Sequence, residues 1–432
     1  LALPLIAGQL AIMGGNVIDV MLAGHLGAHV LGAVSVGANL WGLALMAMVG
    51  VMFAVSPNVA QLDGAGRRRE AGLVLRQALW LGLGLGMLML VIVFFGGPLV
   101  LAESGLDPGI VHDATGFLRA ASFGAPALCL YLACRGLSEG LSLPRPPLLV
   151  SAASLVVMLP LGYLLMYQLD LGAVGSGLTG AVICWVQLLG LASWLRLDHR
   201  YRGIGVGHGR RGPDPRAIGA LLRLGLPIAF SVLMEVGMFT AATIGVARFG
   251  DAAVASHQIA LTVSAVTFMI PLGMGMAVTV RVGNAVGRGN PAWVRRAGFA
   301  GVVLTLVTQA ISCGVLLRLP GPIAALYTGD PVVRAGAVSL LGMAAIFQMS
   351  DGIQVVSNAA LRGLKDARLP MLITGFAYWG VGLPLGWYLA FAGGLRVLGM
   401  WIGLVAGLSV AAALLLARFH VLSARPPARR VG

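Results

Sequence analysis

The sequence predicts an all-α membrane protein: twelve transmembrane helices in two six-helix bundles related by a parallel pseudo-two-fold repeat. Three observations lead there. Of 432 residues, 58% are hydrophobic and only 10% charged, against roughly 25% charged in a soluble domain. Too little charge is present to cover a water-facing surface, so lipid must solvate part of it. The basic residues alternate between loops in the manner of a multi-span protein. The two halves of the chain also repeat one another.

A helix needs roughly 20 mostly apolar residues to cross the hydrocarbon layer. Apolar runs between Pro, Gly and charge clusters give twelve spans: 2–24, 29–60, 73–96, 115–138, 148–169, 172–196, 225–248, 253–283, 297–319, 334–361, 369–392 and 396–419. The stretch 2–24 contains Gln9, Asn16 and Asp19, too polar for a signal-peptide core, and is expected to be a retained helix. The chain opens on Leu1 rather than Met, from which residues before it are expected. With the N-terminus placed in the cytoplasm, all the basic residues but Arg119, Arg248, Arg318, Arg334 and Arg396 fall on the cytoplasmic side. A miscounted helix would scramble that alternation. Both termini are therefore expected in the cytoplasm.

The longest polar stretch, 196–223, holds Asp198, His199, Arg200, Arg210, Arg211, Pro213 and Pro215. It predicts an N-terminal six-helix lobe at 1–196, a cytoplasmic linker at 197–224, a C-terminal lobe at 225–420 and a cytoplasmic tail at 421–432. The lobes align without a gap when 3–66 is shifted by 223 positions. Leu3-Pro4 then falls on Leu226-Pro227, Gly27 on Gly250, and Gly64 and Gly66 on Gly287 and Gly289. Further on, Arg135-Gly136-Leu137 matches Arg362-Gly363-Leu364, and Leu159-Pro160-Leu161-Gly162 matches Leu383-Pro384-Leu385-Gly386. Six helices per copy make the repeat parallel, with a cavity expected between two bundles that rock to give alternating access. No filter-like segment suggests a channel.

Three acids fall within the spans: Asp19, Glu235 and Asp351. With no Lys or Arg expected at comparable depth, each must face the bundle interior, where such residues serve an ion or substrate path. They are the candidate cation-coupling residues, binding H⁺, or Na⁺ at Glu235 and Asp351 through oxygen ligands. Bland readings stand beside these. Asp19 could bond to Asn16 one turn away, and Asp351 belongs to a polar stripe of Gln348, Ser350, Gln354 and Asn358 that could glue helices together. Supporting polar or substrate-lining candidates are Gln9, Asn16, Asn39, His257, Gln258, Gln354 and Asn358. Met234 and Met238 are candidates for dispersion contact with a lipophilic cation, although core packing is the more common role for a Met.

Other classes lack their residues. The net charge of +14 sits in short loops and forms no basic stripe with interleaved aromatics, so no nucleic-acid partner is expected. The four cysteines, Cys129, Cys134, Cys184 and Cys313, have unrelated spacings inside apolar stretches, which argues against disulfides or zinc. No Walker loop, HExxH or GxSxG motif occurs. Neither an enzyme nor a cofactor is expected.

Several motifs together resemble the multidrug and toxic compound extrusion (MATE) family, NorM-like bacterial branch. They are Leu3-Pro4, Asp19 with Met21-Leu22-Ala23-Gly24-His25-Leu26-Gly27, and Pro57-x-x-Ala60-Gln61-x-x-Gly64-Ala65-Gly66. The second half adds Leu226-Pro227 with Glu235, Ser256-His257-Gln258-Ile259-Ala260, Gly283-Asn284-x-x-Gly287-x-Gly289 and Asp351-x-x-Gln354 followed by Leu361-Arg362-Gly363-x-Lys365-Asp366. The resemblance covers essentially the whole chain. It implies a cation-coupled efflux antiporter for small-molecule drugs or toxic organic cations, driven by Na⁺ or H⁺. It places Glu235 and Asp351 at a cation site in the C-terminal lobe and Asp19 in proton or substrate coupling. It also implies a multi-pass protein among the lipids of a bacterial cytoplasmic membrane, expected to function as a monomer. The alternative is a lipid-linked oligosaccharide flippase of related architecture, whose site should be cationic rather than acidic.

Overall fold

The computed structural model describes residues 1–204 and 212–424. Arg210, Arg211 and the tail from 425 lie outside the described residues. Eleven helices are long and apolar enough to span a bilayer, and a bent pair supplies a twelfth. In chain order they are α1 (Ala2–His25), α2 (Ala28–Gly64), α3 (Arg68–Ala102), α4 (Pro108–Ser122 and Ala125–Gly140, bent by 45°), α5 (Arg145–Gln168) and α6 (Gly172–Leu197). The second series is α7 (Pro215–Ala247), α8 (Asp251–Gly287), α9 (Pro291–Arg318), α10 (Pro331–Gly363), α11 (Arg368–Ala392) and α12 (Arg396–Ala424).

Local sequence explains the helix starts. Asp107, Asn290 and Asp330 each precede a proline at the first helical position, and each side chain accepts a backbone N–H of the first turn. The cap satisfies an orphan donor, and the proline has no N–H to lose. Proline inside a helix has the opposite effect. Past Pro160 in α5 the chain winds into a wide π turn at Leu164–Gln168, and past Pro384 in α11 another follows at Tyr388–Ala392. The i→i−5 bonds correspond across the repeat: the Leu169 N–H donates to Leu164 O at 3.0 Å, and the Gly393 N–H to Tyr388 O at 2.9 Å. Such turns form where the regular ladder is interrupted.

The chain forms two compact units, Leu3–Ala229 and Phe230 onward. The division falls within α7, not in the polar stretch 197–224. The described parts of that stretch dock on the first unit. Ile204 is buried and its carbonyl accepts from the Gly72 N–H at 3.1 Å, while Tyr201 is hydrogen-bonded to Ser138. Gln77 holds the other end, accepting the Asp214 N–H at 2.8 Å and donating to Gly212 O at 3.2 Å. Helix surfaces in both units carry exposed Leu, Ile, Val and Phe, among them Leu99, Val156, Ile311 and Phe376. Such surfaces suit lipid as solvent.

In the second unit the core gathers Met238, Leu341, Tyr378, Trp401 and Leu408, all fully buried. Small residues bring α11 and α12 together: a Cβ on Gly403 would land on the backbone of Gly386, and one on Gly407 would meet Gly382 Cα at 2.9 Å. Without water to drive association, close backbone packing of this kind holds membrane helices. All four cysteines are free.

Candidate functional site

In the second unit, α7 supplies Glu235 and α10 supplies Asp351, and the structure brings the two carboxylates within electrostatic reach of each other. Asp351 is 3% exposed and Glu235 partly buried. Tyr378, fully buried in a π-helical stretch of α11, lies near both acids and beside Gln354. Gln348 and Gln354, one turn to either side of Asp351, are each 1% exposed, so the polar stripe of α10 faces inward. Its Ser350 is hydrogen-bonded to Ser409 of α12 at 2.7 Å, and Asn358 is partly buried.

One expectation is corrected here. Arg362 is within electrostatic reach of Glu235, so a basic side chain does accompany the acids. The sequence span stopped at 361, whereas α10 continues to Gly363 and carries Arg362 in its last turn. The local field around the pair is thus two carboxylates against one guanidinium.

His257 and Met238, for which the sequence leaves lining and packing roles open, are both packed in the core. His257 is fully buried. Trp401 Nε1 donates to its Nδ1 at 3.0 Å, and Nε2 is 3.1 Å from Thr243 Oγ1, which donates to Phe239 O at 2.9 Å. An Nδ1 that accepts leaves the proton on Nε2. The imidazole is therefore neutral and satisfied, bridging α7, α8 and α12. Its neighbour Gln258 is exposed, on the other side of α8. Met238 is at 0% exposure in the core cluster and has no surface to offer a substrate. Met234 is partly buried, with its sulfur over Gly375 and its carbonyl accepting from Trp379 Nε1 at 3.2 Å.

In the first unit, Asp19 is paired across helices rather than along its own. Ser176 Oγ of α6 donates to Asp19 Oδ1 at 2.6 Å, while Asn16 is exposed, as is Asn39. Gln9 is not grouped with those two asparagines. Its Oε1 accepts from Arg135 Nη2 at 2.7 Å, and Arg135 Nε donates to Glu139 at 2.6 Å, all three side chains being buried. Glu139 is a further buried acid within the helices, 4% exposed. It escaped notice because the sequence span ended at 138, one residue short of it. The repeat contained the signal: Arg135 and Arg362 are equivalent positions, and each reaches the first helix of its half, at Gln9 in α1 and Glu235 in α7.

Among the described residues no group of three or more His, Cys, Asp or Glu is placed to hold a metal ion. Any ion at Glu235 and Asp351 would complete its shell with neutral oxygens or water.

Comparison with known proteins agrees with this architecture. The MatE family model matches twice, at residues 4–164 and 227–388, each match covering most of one half. The chain is 45% identical over 429 residues to a probable multidrug resistance protein NorM of Xanthomonas campestris pv. campestris, covering 98% of this chain and 93% of that protein. It is 36% identical to multidrug resistance protein PmpM of Pseudomonas aeruginosa, over 97% of this chain and 89% of that protein. Its fold matches a MOP superfamily transporter from Pyrococcus furiosus with a TM-score of 0.91 at 20% identity, over 98% of this chain and 94% of the other. The double family match, set at the same offset as the internal repeat, shows that this chain belongs to the MATE family of transporters.

Proposed function

We propose that the protein is a multidrug efflux antiporter that exports lipophilic, often cationic compounds by alternating access, coupled to entry of Na⁺ or H⁺. The observation that supports this reading above others is the approach of Glu235 on α7 to Asp351 on α10, with the Arg362 guanidinium within reach of Glu235. Two carboxylates held together in a low-dielectric interior repel, so a bound cation or proton relieves them. An ion that binds one state of the transporter more tightly shifts the equilibrium by that difference in affinity, which is the source of coupling. Asp19 is a third coupling or substrate-contacting acid in this scheme, and the partly buried Met234 and Asn358 border the C-terminal site. The protein works as a monomer in the lipid of the bacterial cytoplasmic membrane, with both termini cytoplasmic, as the loop arginines favour. No cofactor takes part.

Proteoliposomes loaded with a fluorescent organic cation test the reading. Efflux should follow an imposed Na⁺ or pH gradient, and Glu235→Gln and Asp351→Asn should each abolish that dependence. Gradient-driven efflux at the unmutated rate in both variants would refute it. The flippase alternative needs a cationic hollow, and the buried Arg135 is neutralised by Glu139.

A further inference from the structure

Where α7 and α11 end and α12 begins, three rings and two guanidiniums of the second unit form one stack. The Arg248 guanidinium carbon lies 5.5 Å from the Trp387 ring centre and 5.8 Å from that of Phe391. Phe391 packs against Trp387 at 5.2 Å and is stacked on Phe249 at 5.0 Å, with 23° between the planes. Arg396 completes the stack. Its guanidinium carbon is 5.6 Å from the Phe249 ring centre, and Nη2 donates to Phe249 O at 3.3 Å. Arg248 is the first residue beyond α7 and Arg396 the first of α12, which puts both at the level where headgroups meet a span.

The first half of the chain shows that the fold does not require these charges. Across the repeat, Trp387 and Phe391 correspond to Tyr163 and Tyr167, again two packed rings, 5.1 Å apart. Arg248 and Arg396 correspond to His25 and Gly172. Backbone bonds fix that register: the Leu171 N–H donates to Leu165 O in one copy, and the Leu395 N–H to Leu389 O in the other. Gly172 has φ 48° and Arg396 φ 47°. A left-handed φ suits glycine and strains a residue that carries a Cβ. The second copy thus holds an arginine under strain where the first has the residue that relieves it.

Among the described residues neither guanidinium is ion-paired with a carboxylate. Stacking engages the face of a guanidinium and leaves its in-plane N–H donors directed outward. We propose that Arg248 and Arg396 bind the headgroup of an anionic phospholipid, whose acyl chains lie along the exposed Phe391 and Leu395. A phosphate accepts parallel, charge-assisted bonds from a guanidinium fork. The ring stack orders both arginines beforehand, so less side-chain freedom is lost on binding. A soluble anion has no apolar part to cover the exposed ring.

The test uses the purified full-length transporter in neutral detergent at about pH 8, where an introduced His is uncharged. Thermal unfolding is followed as phosphatidylglycerol is added, with phosphatidylcholine and glycerol phosphate as comparisons. Phosphatidylglycerol should raise the midpoint at concentrations at least tenfold lower than phosphatidylcholine. Arg248→His and Arg396→Gly install the residues of the first copy, which that copy shows to be compatible with the fold. Each should raise the phosphatidylglycerol concentration for half the effect at least fivefold and leave the phosphatidylcholine response within twofold. Arg248→Gln, a second removal of the same charge, should match Arg248→His. Equal responses to the two lipids overturn the site, and so does a phosphatidylglycerol response that no variant moves. Glycerol phosphate acting as well as phosphatidylglycerol overturns the lipid assignment in favour of a free phosphate.

Discussion

Ser176 and Asp19 share a hydrogen bond of 2.6 Å that ties α6 to α1 through a carboxylate. Asp19→Asn preserves an oxygen for Ser176 while removing the charge. We expect ion-dependent efflux to be lost in Asp19→Asn with the thermal midpoint nearly unchanged. Ser176→Ala, by contrast, should lower stability by ~1.5–3 kcal/mol, the usual value of a hydrogen bond to a charged group. Paired unfolding and efflux measurements on the two variants separate charge from tether.

The Arg135–Glu139 pair makes a different kind of prediction. Removing one partner of a buried ion pair leaves a charge stranded at a cost of ~3–5 kcal/mol, whereas replacing both by apolar residues is often neutral. Arg135→Met and Glu139→Leu should each lower the unfolding midpoint sharply, and the double variant should recover most of the loss. Additive losses in the double variant would show that the two side chains do not act as a pair.

His257 should matter for stability and not for coupling. Trp401→Phe leaves Nδ1 of the buried imidazole without its donor, at a cost of ~1–3 kcal/mol. Efflux per folded molecule should keep its dependence on the ion gradient. A changed ion dependence would assign His257 a role in transport that its full set of partners does not suggest.

Gly403 is the tightest point between α11 and α12. Gly403→Val would force the helices apart where a Cβ already collides with Gly386. The expected result is loss of monodisperse protein on size exclusion, while Gly180→Ala, with open space around its Cα, should elute normally.

Much of the fold was legible because membrane constraints are simple. Apolar length set the spans, and a near-constant offset exposed the repeat. The acids Glu235 and Asp351 stood out because charge in an apolar run is costly. What sequence reading missed was polar chemistry without charge or at a span's edge. Thr305 and Gln309 of α9, both fully buried, sit inside an apolar stretch and carry no charge to draw notice. Arg362 and Glu139 each fell just past a boundary drawn by hydropathy, although their helices carry them into the protein. For His257 and Met238 the sequence left lining and core packing both open, because helical spacing alone does not tell a packed face from an open one.

The matching i→i−5 bonds past Pro160 and Pro384 carry a consequence for how the chain leaves α5 and α11. Each wide turn is the last of its helix and holds one residue more than an α-helical turn would, so the chain departs about 100° further around the axis. Because the slip has the same register in both copies, it belongs to the repeated motif itself. A single-residue deletion in Leu164–Gln168 or Tyr388–Ala392 would erase it and redirect the loop that leads to α6 or α12.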